Sequence, residues 1–460
     1  MDKKLLRTLF LKMLGNIIPS REVTPGKYPN ARNFWGDDSQ AWMFTEGFAP
    51  VEISPPADKH LGQSFSLVND GFAAFDQFIE TLKSDPVLGG KVGNQTLEGS
   101  TEKLLRAFRN KAEVTDDEVS EAIQSEVGEL KRSVKSWTSL APVDFLVLEN
   151  ISELNVGKIV LRPTSSVYER VLAEFTERIN QVEKYDEQQK QELKYQIGAA
   201  FFQAFNNVAT CAEVTVEAES SRVQKLADAE VDASLNLLRC YTHLLFPRDH
   251  RVKMGLRGET SYILRPALGF STSDPSWTFN FQSIGLLQPF VVSPERLELL
   301  RKKFALDVLS ETLAKAEASR TKLERAVVTA IRWLGRGVTA FDLAEKVLHF
   351  AAASERLLMS DEENKSEIMD KFARRLAFLI RDDPSKRLEL SSRAKDLYKI
   401  RNKVIHAGKI DVSEEDVIEM EVLTIQALVK MAQRLGDWTK HEHFIAWVEK
   451  QSFGVAASNG

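Results

Sequence analysis

The chain has 460 residues, 43% hydrophobic and 28% charged, with 61 Lys and Arg set against 66 Asp and Glu. That balance excludes a disordered polyelectrolyte and gives no global attraction for a polyanion, so any nucleic-acid surface has to be local. The two cysteines, Cys211 and Cys240, lie outside any CxxC or Cys/His cluster, which argues against a disulfide framework or structural zinc and for a reducing, cytoplasmic setting.

The first fourteen residues carry an apolar run that Arg7 and Lys12 interrupt, with no small-residue cleavage site behind it, and read as an amphipathic helix rather than a leader. No apolar run is long enough to span a bilayer, so no membrane association is expected. Residues 16–60, rich in Pro, Gly, Asn and Trp, read as irregular structure or short strands. Helical patterns follow at 72–82 and 101–108, and the acidic segment 113–137 reads as a solvated helix. Residues 143–148 and 158–161 look like two strands around a turn. From 166 to 246 the pattern is helical, with a polar run at 183–192 that marks a helix face in water or a break between two helices. Strand signals return at 260–264 and 277–281, where β-branched and aromatic residues sit between Gly and Pro.

Ser293-Pro294 is a helix start, the serine as cap and the proline in the first turn. Beyond it only helices are expected, near 295–316, 320–334, 338–359, 364–381, 387–407 and 413–434. The fold class expected is thus an α+β N-terminal region of mixed helices and a small sheet, followed by an all-α helical bundle. The boundary divides the chain into 1–293, a sensing or regulatory region with room for two subdomains, and 294–453.

The residues with chemistry lie on the fifth of these C-terminal helices. At 100° per residue, Leu397, Ile400 and Val404 share an apolar stripe, Arg401 lies at its edge, and Asn402 and His406 stack one turn apart. Gly408 is a C-terminal stop. Ile405 falls angularly between Arg401 and His406, an apolar residue within a polar flank, which suggests contact with another surface: a second protomer, or another helix of the same domain.

Arg401-Asn402-Lys403-Val404-Ile405-His406 resembles the motif of the HEPN superfamily: Arg, a polar residue, three further residues, then His. The upstream helix around Glu355-Arg356-Leu357-Leu358 is similar to the family's early helix, where a Glu precedes paired leucines, and the Apea-like HEPN domains are the nearest subgroup. The resemblance covers about 150 residues. It implies a helical domain that dimerises, brings two motifs together and cleaves single-stranded RNA without metal, in proteins that often act as toxins or in phage defence.

Metal-free cleavage uses the ribose 2'-OH as an internal nucleophile. It needs a side chain that exchanges protons near neutrality, which histidine does, and a fixed cation on the phosphate oxygens, which arginine grips bidentately. His406 is therefore assigned as acid/base, Arg401 as phosphate clamp and Asn402 as support. Glu355 lies on an apolar stripe with Ala344, Leu348, Ala351 and Leu358, where a carboxylate is costly unless paired; Arg401 is a candidate partner, the alternatives being that Glu355 reaches solvent at the helix end or pairs with another arginine. No cofactor or metal is required. Between 371 and 409 twelve Lys and Arg face four Asp and Glu, a local cationic excess suited to RNA.

Other signals carry less. His441-Glu442-His443 lacks metalloprotease spacing, and Gly89-Gly90-Lys91 lacks the order of a phosphate loop. Gly335-Arg336-Gly337 reads as a turn between helices. His349 reads as a surface residue, His243 and His250 as structural, and Trp35, Trp42 and Trp277 as packing residues. The sequence therefore points to a metal-independent endoribonuclease acting on RNA as a homodimer, with an unidentified ligand or protein engaging the N-terminal region. The alternatives are a non-catalytic HEPN-like module for dimerisation or nucleotide binding, and a helical scaffold in which the Arg/His spacing is coincidental.

Overall fold

The computed structural model describes residues 1–19, 32–34, 65–111, 113–246, 252–258, 265–270, 277–282, 288–360, 367–407 and 411–453. It is mostly helical and divides into two compact units, Met1–Trp137 with Val216–Leu226, and Thr138–Thr215 with Ala227–Gly460. The expected boundary at 293/294 is not the division that the packing draws, since the C-terminal helices share a unit with the strands and helices from 138 onward.

The first unit starts with α1 (Lys3–Leu14), capped by the Asp2 carboxylate on the N–H of Leu5. Leu6, Leu9, Phe10 and Met13 recur at helical spacing and are all buried, as an amphipathic reading requires. Short strands β1 (Ile17–Pro19), β2 (Arg32–Phe34) and β3 (Phe65–Leu67) form an antiparallel sheet with β3 in the middle. Helices α2 (Asp70–Lys83), α3 (Asn94–Phe108) and α4 (Asp116–Ser133) pack on α1. Phe10 meets Phe108 edge-on at 5.7 Å in this core. The acidic segment is more than a solvated helix. Val119, Ile123, Val127 and Leu130 of α4 are buried, and its Glu126 is paired with Lys103 at 2.9 Å.

The second unit is built on a five-stranded sheet. Its strands are β4 (Lys135–Asp144), β6 (Leu154–Val156), β7 (Ile159–Pro163), β8 (Thr210–Ala218) and β9 (Gly255–Leu256), in the order β6-β7-β8-β4-β9. The segment 143–148 is not one strand. Phe145 at φ 60° ends β4, and β5 (Leu146–Leu148) pairs in parallel with β12 (Phe290–Val292). Gly157 at φ 60° makes the β6–β7 turn, where the left-handed backbone favours glycine. Helices α5 (Thr164–Asn180) and α6 (Glu187–Phe205) carry the helical pattern, the break between them falling at 181–186 while 187–192 of the polar run form the first turns of α6. The strand β8 interrupts the expected helix between 166 and 246. Its signal is the alternation of Val214 and Val216 with exposed Thr215 and Glu217.

Helix α7 (Val223–Leu245) is buried on every side from Ser234 to His243. Its polar side chains are bonded. Arg239 holds Asp232, Asn236 and the Met254 carbonyl, and His243 Nδ1 lies 2.8 Å from Glu421 Oε1. Strands β10 (Arg265–Phe270) and β11 (Trp277–Gln282) form an antiparallel pair. The expected strand at 260–264 falls outside the described residues, as do His250, Trp35, Trp42 and Gly408.

After β12 only helices follow: α8 (Pro294–Phe304), α9 (Leu306–Ala314), α10 (Lys322–Thr339), α11 (Leu343–Leu358), α12 (Ile368–Ile380), α13 (Pro384–Ala407), α14 (Glu414–Ala432) and α15 (His441–Ser452). Ser293 caps α8 through the N–H of Arg296, with Pro294 in the first turn. The single helix expected at 295–316 is two, broken where Ala305 adopts a left-handed backbone at φ 54°. Gly335 and Gly337 are not a turn. Both lie inside α10, and a Cβ on Gly335 would stand 2.0 Å from Asn236 Oδ1, and one on Gly337 2.4 Å from the Phe350 ring. These glycines let α10 approach α7 and α11 closely.

Candidate functional site

Helices α11 and α13 pack together in this bundle, each beside α14 or α12. Leu390, Ala394, Leu397, Tyr398 and Val404 bury the inner face of α13, while Ile400 and Arg401 are half-buried at its edge. On α11 the buried residues include Val347, Phe350, Ala351, Ala353, Ser354, Leu357 and Leu358. Ala344, Leu348 and Glu355 flank that face and are half-buried. The two helices thus bring Glu355 and Arg401 together at the margin of the core.

Arg401 Nη2 lies 3.1 Å from Glu355 Oε1 and donates to Oε2 at 3.3 Å. Arg401 Nη1 donates to Asn402 Oδ1 at 3.1 Å, and the guanidinium stands 5.4 Å over the Tyr398 ring. Asn402 therefore supports Arg401, its sequence neighbour, and not His406, for which no bond to Asn402 exists among the described residues. Tyr398 was not singled out by sequence, although its place one turn before Arg401 puts it on the same side of the helix. Burial pushes its hydroxyl up to about 12, aided by the hydrogen bond it donates to Glu355 and opposed by the Arg401 charge. Glu355 thereby holds two groups of α13.

His406 is exposed in the last turn of α13, among the described residues without a hydrogen bond or ion pair, and Lys403 is exposed one turn before it. Ile405 is 48% exposed, so among the described residues no helix of the same bundle covers it fully. Arg401 and His406 are five residues apart and so point about 140° away from each other around the helix axis. One copy of the helix turns its arginine inward and its histidine outward.

The cationic excess between 371 and 409 is largely spent within the fold. Arg375 is buried and donates to the Leu358 carbonyl. Arg393 binds Asp416 and Glu419, Lys395 binds Asp370, and Lys399 binds Asp396. Three of these partner acids lie outside the segment, which a local charge count cannot register.

The other described histidines have structural surroundings. His441 is buried and its Nε2 lies 3.0 Å from the Arg356 carbonyl. His443 Nδ1 accepts the N–H of Thr439 at 3.4 Å. His349 is half-buried against Trp333, with ring centroids 5.3 Å apart, and its Nε2 lies 3.3 Å from Glu345 Oε1. Among the described residues no helix is long and apolar enough to cross a membrane. Both cysteines are buried free thiols, and burial pushes Cys211 up to about 12.

No protein-family model matches the chain, and neither a curated protein nor a solved structure resembles it.

Proposed function

We propose that the chain is a metal-independent endoribonuclease of HEPN type, acting as a homodimer on single-stranded RNA. The observation that carries this reading is the Glu355–Arg401 pair. It is one of the pairings that a carboxylate on an apolar stripe suggests, and it joins the helix bearing the Arg-Asn-x3-His segment to the helix bearing the Glu-x-Leu-Leu segment. His406 stands exposed beyond that pair with its ring free to reach a substrate.

The chemistry follows from the residues. A ribose 2'-OH attacks the adjacent phosphorus while His406 accepts its proton, and the same His406, now protonated, returns that proton to the leaving 5'-oxygen. Arg401 neutralises the negative charge gathered on the phosphorane oxygens. Asn402 and Glu355 fix the guanidinium plane, and Tyr398 fixes Glu355. Because Arg401 and His406 diverge around one helix, the site is composed of the arginine of one protomer and the histidine of the other. The N-terminal residues act as the control, through a ligand or protein that releases the nuclease.

Incubating the chain with single-stranded RNA in the presence of EDTA tests this reading. Cleavage to 2',3'-cyclic phosphate ends is expected from the wild type, and none from His406→Ala or Arg401→Ala. Activity that persists in both variants rejects the site, and activity that EDTA removes rejects the mechanism.

A second reading has an observation of its own. Arg401 already engages Glu355 and Asn402, so the same pair also serves as a pin between α11 and α13 in a non-catalytic dimerisation module. A dimer that never cleaves RNA favours it.

A further inference from the structure

We propose that the solvent face of α10 is a docking track for single-stranded RNA, an inference that rests on the ribonuclease reading for the identity of its ligand. Arg325, Arg332 and Arg336 all point within about 40° of one another around the helix and span about 16 Å along it. All three are exposed, and none forms an ion pair among the described residues. The only carboxylate of the helix, Glu324, is buried and bonded to Lys315 and to its own cap, Thr321. Arg332 and Arg336, one turn apart, repel each other in the free chain, an arrangement that costs helix stability unless an anion bridges it.

The contrast with α12 and α13 supports this. There Arg393, Lys395 and Lys399 are matched by Asp370, Asp396, Asp416 and Glu419, and left-over cations such as Arg374 and Lys386 have no exposed aromatic ring paired with them among the described residues. On α10 no acid among the described residues pairs with any arginine of the stripe. An aromatic residue completes the surface. Trp333 is half-buried beside the arginines, with the Arg336 guanidinium 5.3 Å over its ring and the His349 ring 5.3 Å away. A base stacking on Trp333 takes the place of that guanidinium, which then turns to a phosphate. Cations tracking the backbone and a sequence-tolerant stacking residue are what single-stranded nucleic acid requires. A lipid surface would also accept the charges and the ring, so anionic vesicles serve as the competing ligand in the test.

The test uses the full chain carrying His406→Ala, so that bound RNA survives, and measures fluorescence anisotropy with a labelled single-stranded RNA at several salt concentrations. Adding Arg332→Glu and Arg336→Glu is expected to weaken binding at least about tenfold and to lower the salt slope by about two. Adding Trp333→Leu alone is expected to weaken binding about tenfold with the salt slope unchanged. The matched control, Arg374→Glu with Lys386→Glu, makes the same charge change on exposed cations of α12 and α13 and is expected to bind nearly as the parent. Thermal unfolding of each variant confirms the fold.

A control that weakens binding as much as the α10 variant overturns the track, and so does parent protein that binds anionic vesicles but not RNA. The two readings fail separately. RNA binding lost on α10 substitution in a chain that never cleaves RNA keeps the track and rejects the nuclease. Cleavage by wild type with binding unmoved by the α10 changes does the reverse.

Discussion

Arg401 of α13 and Glu355 of α11 meet at 3.1 Å, each side chain about a quarter exposed, over the buried ring of Tyr398. Such a pair sits between a surface bridge, worth little, and a fully buried one, whose breaking leaves a desolvated charge. Glu355→Gln keeps the volume and removes the charge. It is expected to lower the unfolding free energy by about 1–2 kcal/mol in urea titrations. A loss within a few tenths of a kcal/mol means that the pair is incidental.

His406 calls for the opposite outcome. It is exposed and among the described residues makes no polar contact, so His406→Ala is expected to change stability by less than about 0.5 kcal/mol. On the proposed mechanism the same change lowers the cleavage rate by about 10²–10⁴-fold, the usual contribution of general acid–base catalysis. Loss of activity together with loss of fold leaves the histidine without a chemical role.

The two residues also mark what was legible in sequence. Helix period placed Arg401 at the edge of a buried stripe, and the cost of a carboxylate on an apolar face made Glu355 a candidate partner. Periodicity could not tell that Asn402 turns back to Arg401, because that depends on which rotamer the guanidinium adopts across the helix pair. The cationic surface was misjudged for a related reason. Its neutralising acids Asp370, Asp416 and Glu419 come from outside the segment counted. The strand β8 lay hidden between two helices because only its second half alternates, its first three residues all being buried. Gly335 and Gly337 mimicked a turn, since glycine serves close helix approach as readily as a left-handed backbone.

Those glycines yield a sharp prediction. Gly335→Ala places a methyl 2.0 Å from Asn236 Oδ1, and Gly337→Ala places one 2.4 Å from the Phe350 ring, both within the core. Each is expected to cost about 1–3 kcal/mol from overpacking, outweighing the gain in helix propensity. Gly128→Ala in α4 meets nothing nearer than the tip of Arg132 at 3.9 Å. It is expected to raise stability by up to about 1 kcal/mol. If all three changes move the melting temperature alike, helix contact is not what selects glycine in α10.

Lys253 makes stability depend on pH in alkali. Burial pushes its ammonium down to about 8 from an ordinary value of 10.5, with the nearby Lys346 charge adding to the effect and Glu421 opposing it. Between those values the folded chain holds a neutral amine and the unfolded chain an ammonium. The unfolded state then binds more protons, so this group makes stability rise with pH across the window. Below it the unfavourable buried charge is fully present. Lys346, also buried and lowered, acts in the same sense, while His243 and Glu421 complete the cluster. Lys253→Met is expected to flatten the difference between urea midpoints measured at pH 8 and pH 10. An unchanged slope assigns the dependence to another group.

Ile405, 48% exposed beside Arg401 and His406, carries the proposal of a second copy. Ile405→Asp is expected to shift sedimentation from dimer to monomer, and to abolish cleavage with it. A stricter test follows from the divergence of Arg401 and His406 around α13. If each site takes its arginine from one protomer and its histidine from the other, an Arg401→Ala chain mixed with a His406→Ala chain forms heterodimers that keep one intact site. Half the dimers are mixed and half their sites are whole, so about a quarter of wild-type activity returns on mixing two inactive proteins. A site built from a single chain recovers nothing, because every protomer in the mixture then lacks one of its two groups. Mixing therefore separates a composite site from two independent ones even if the dimer itself is stable in every variant.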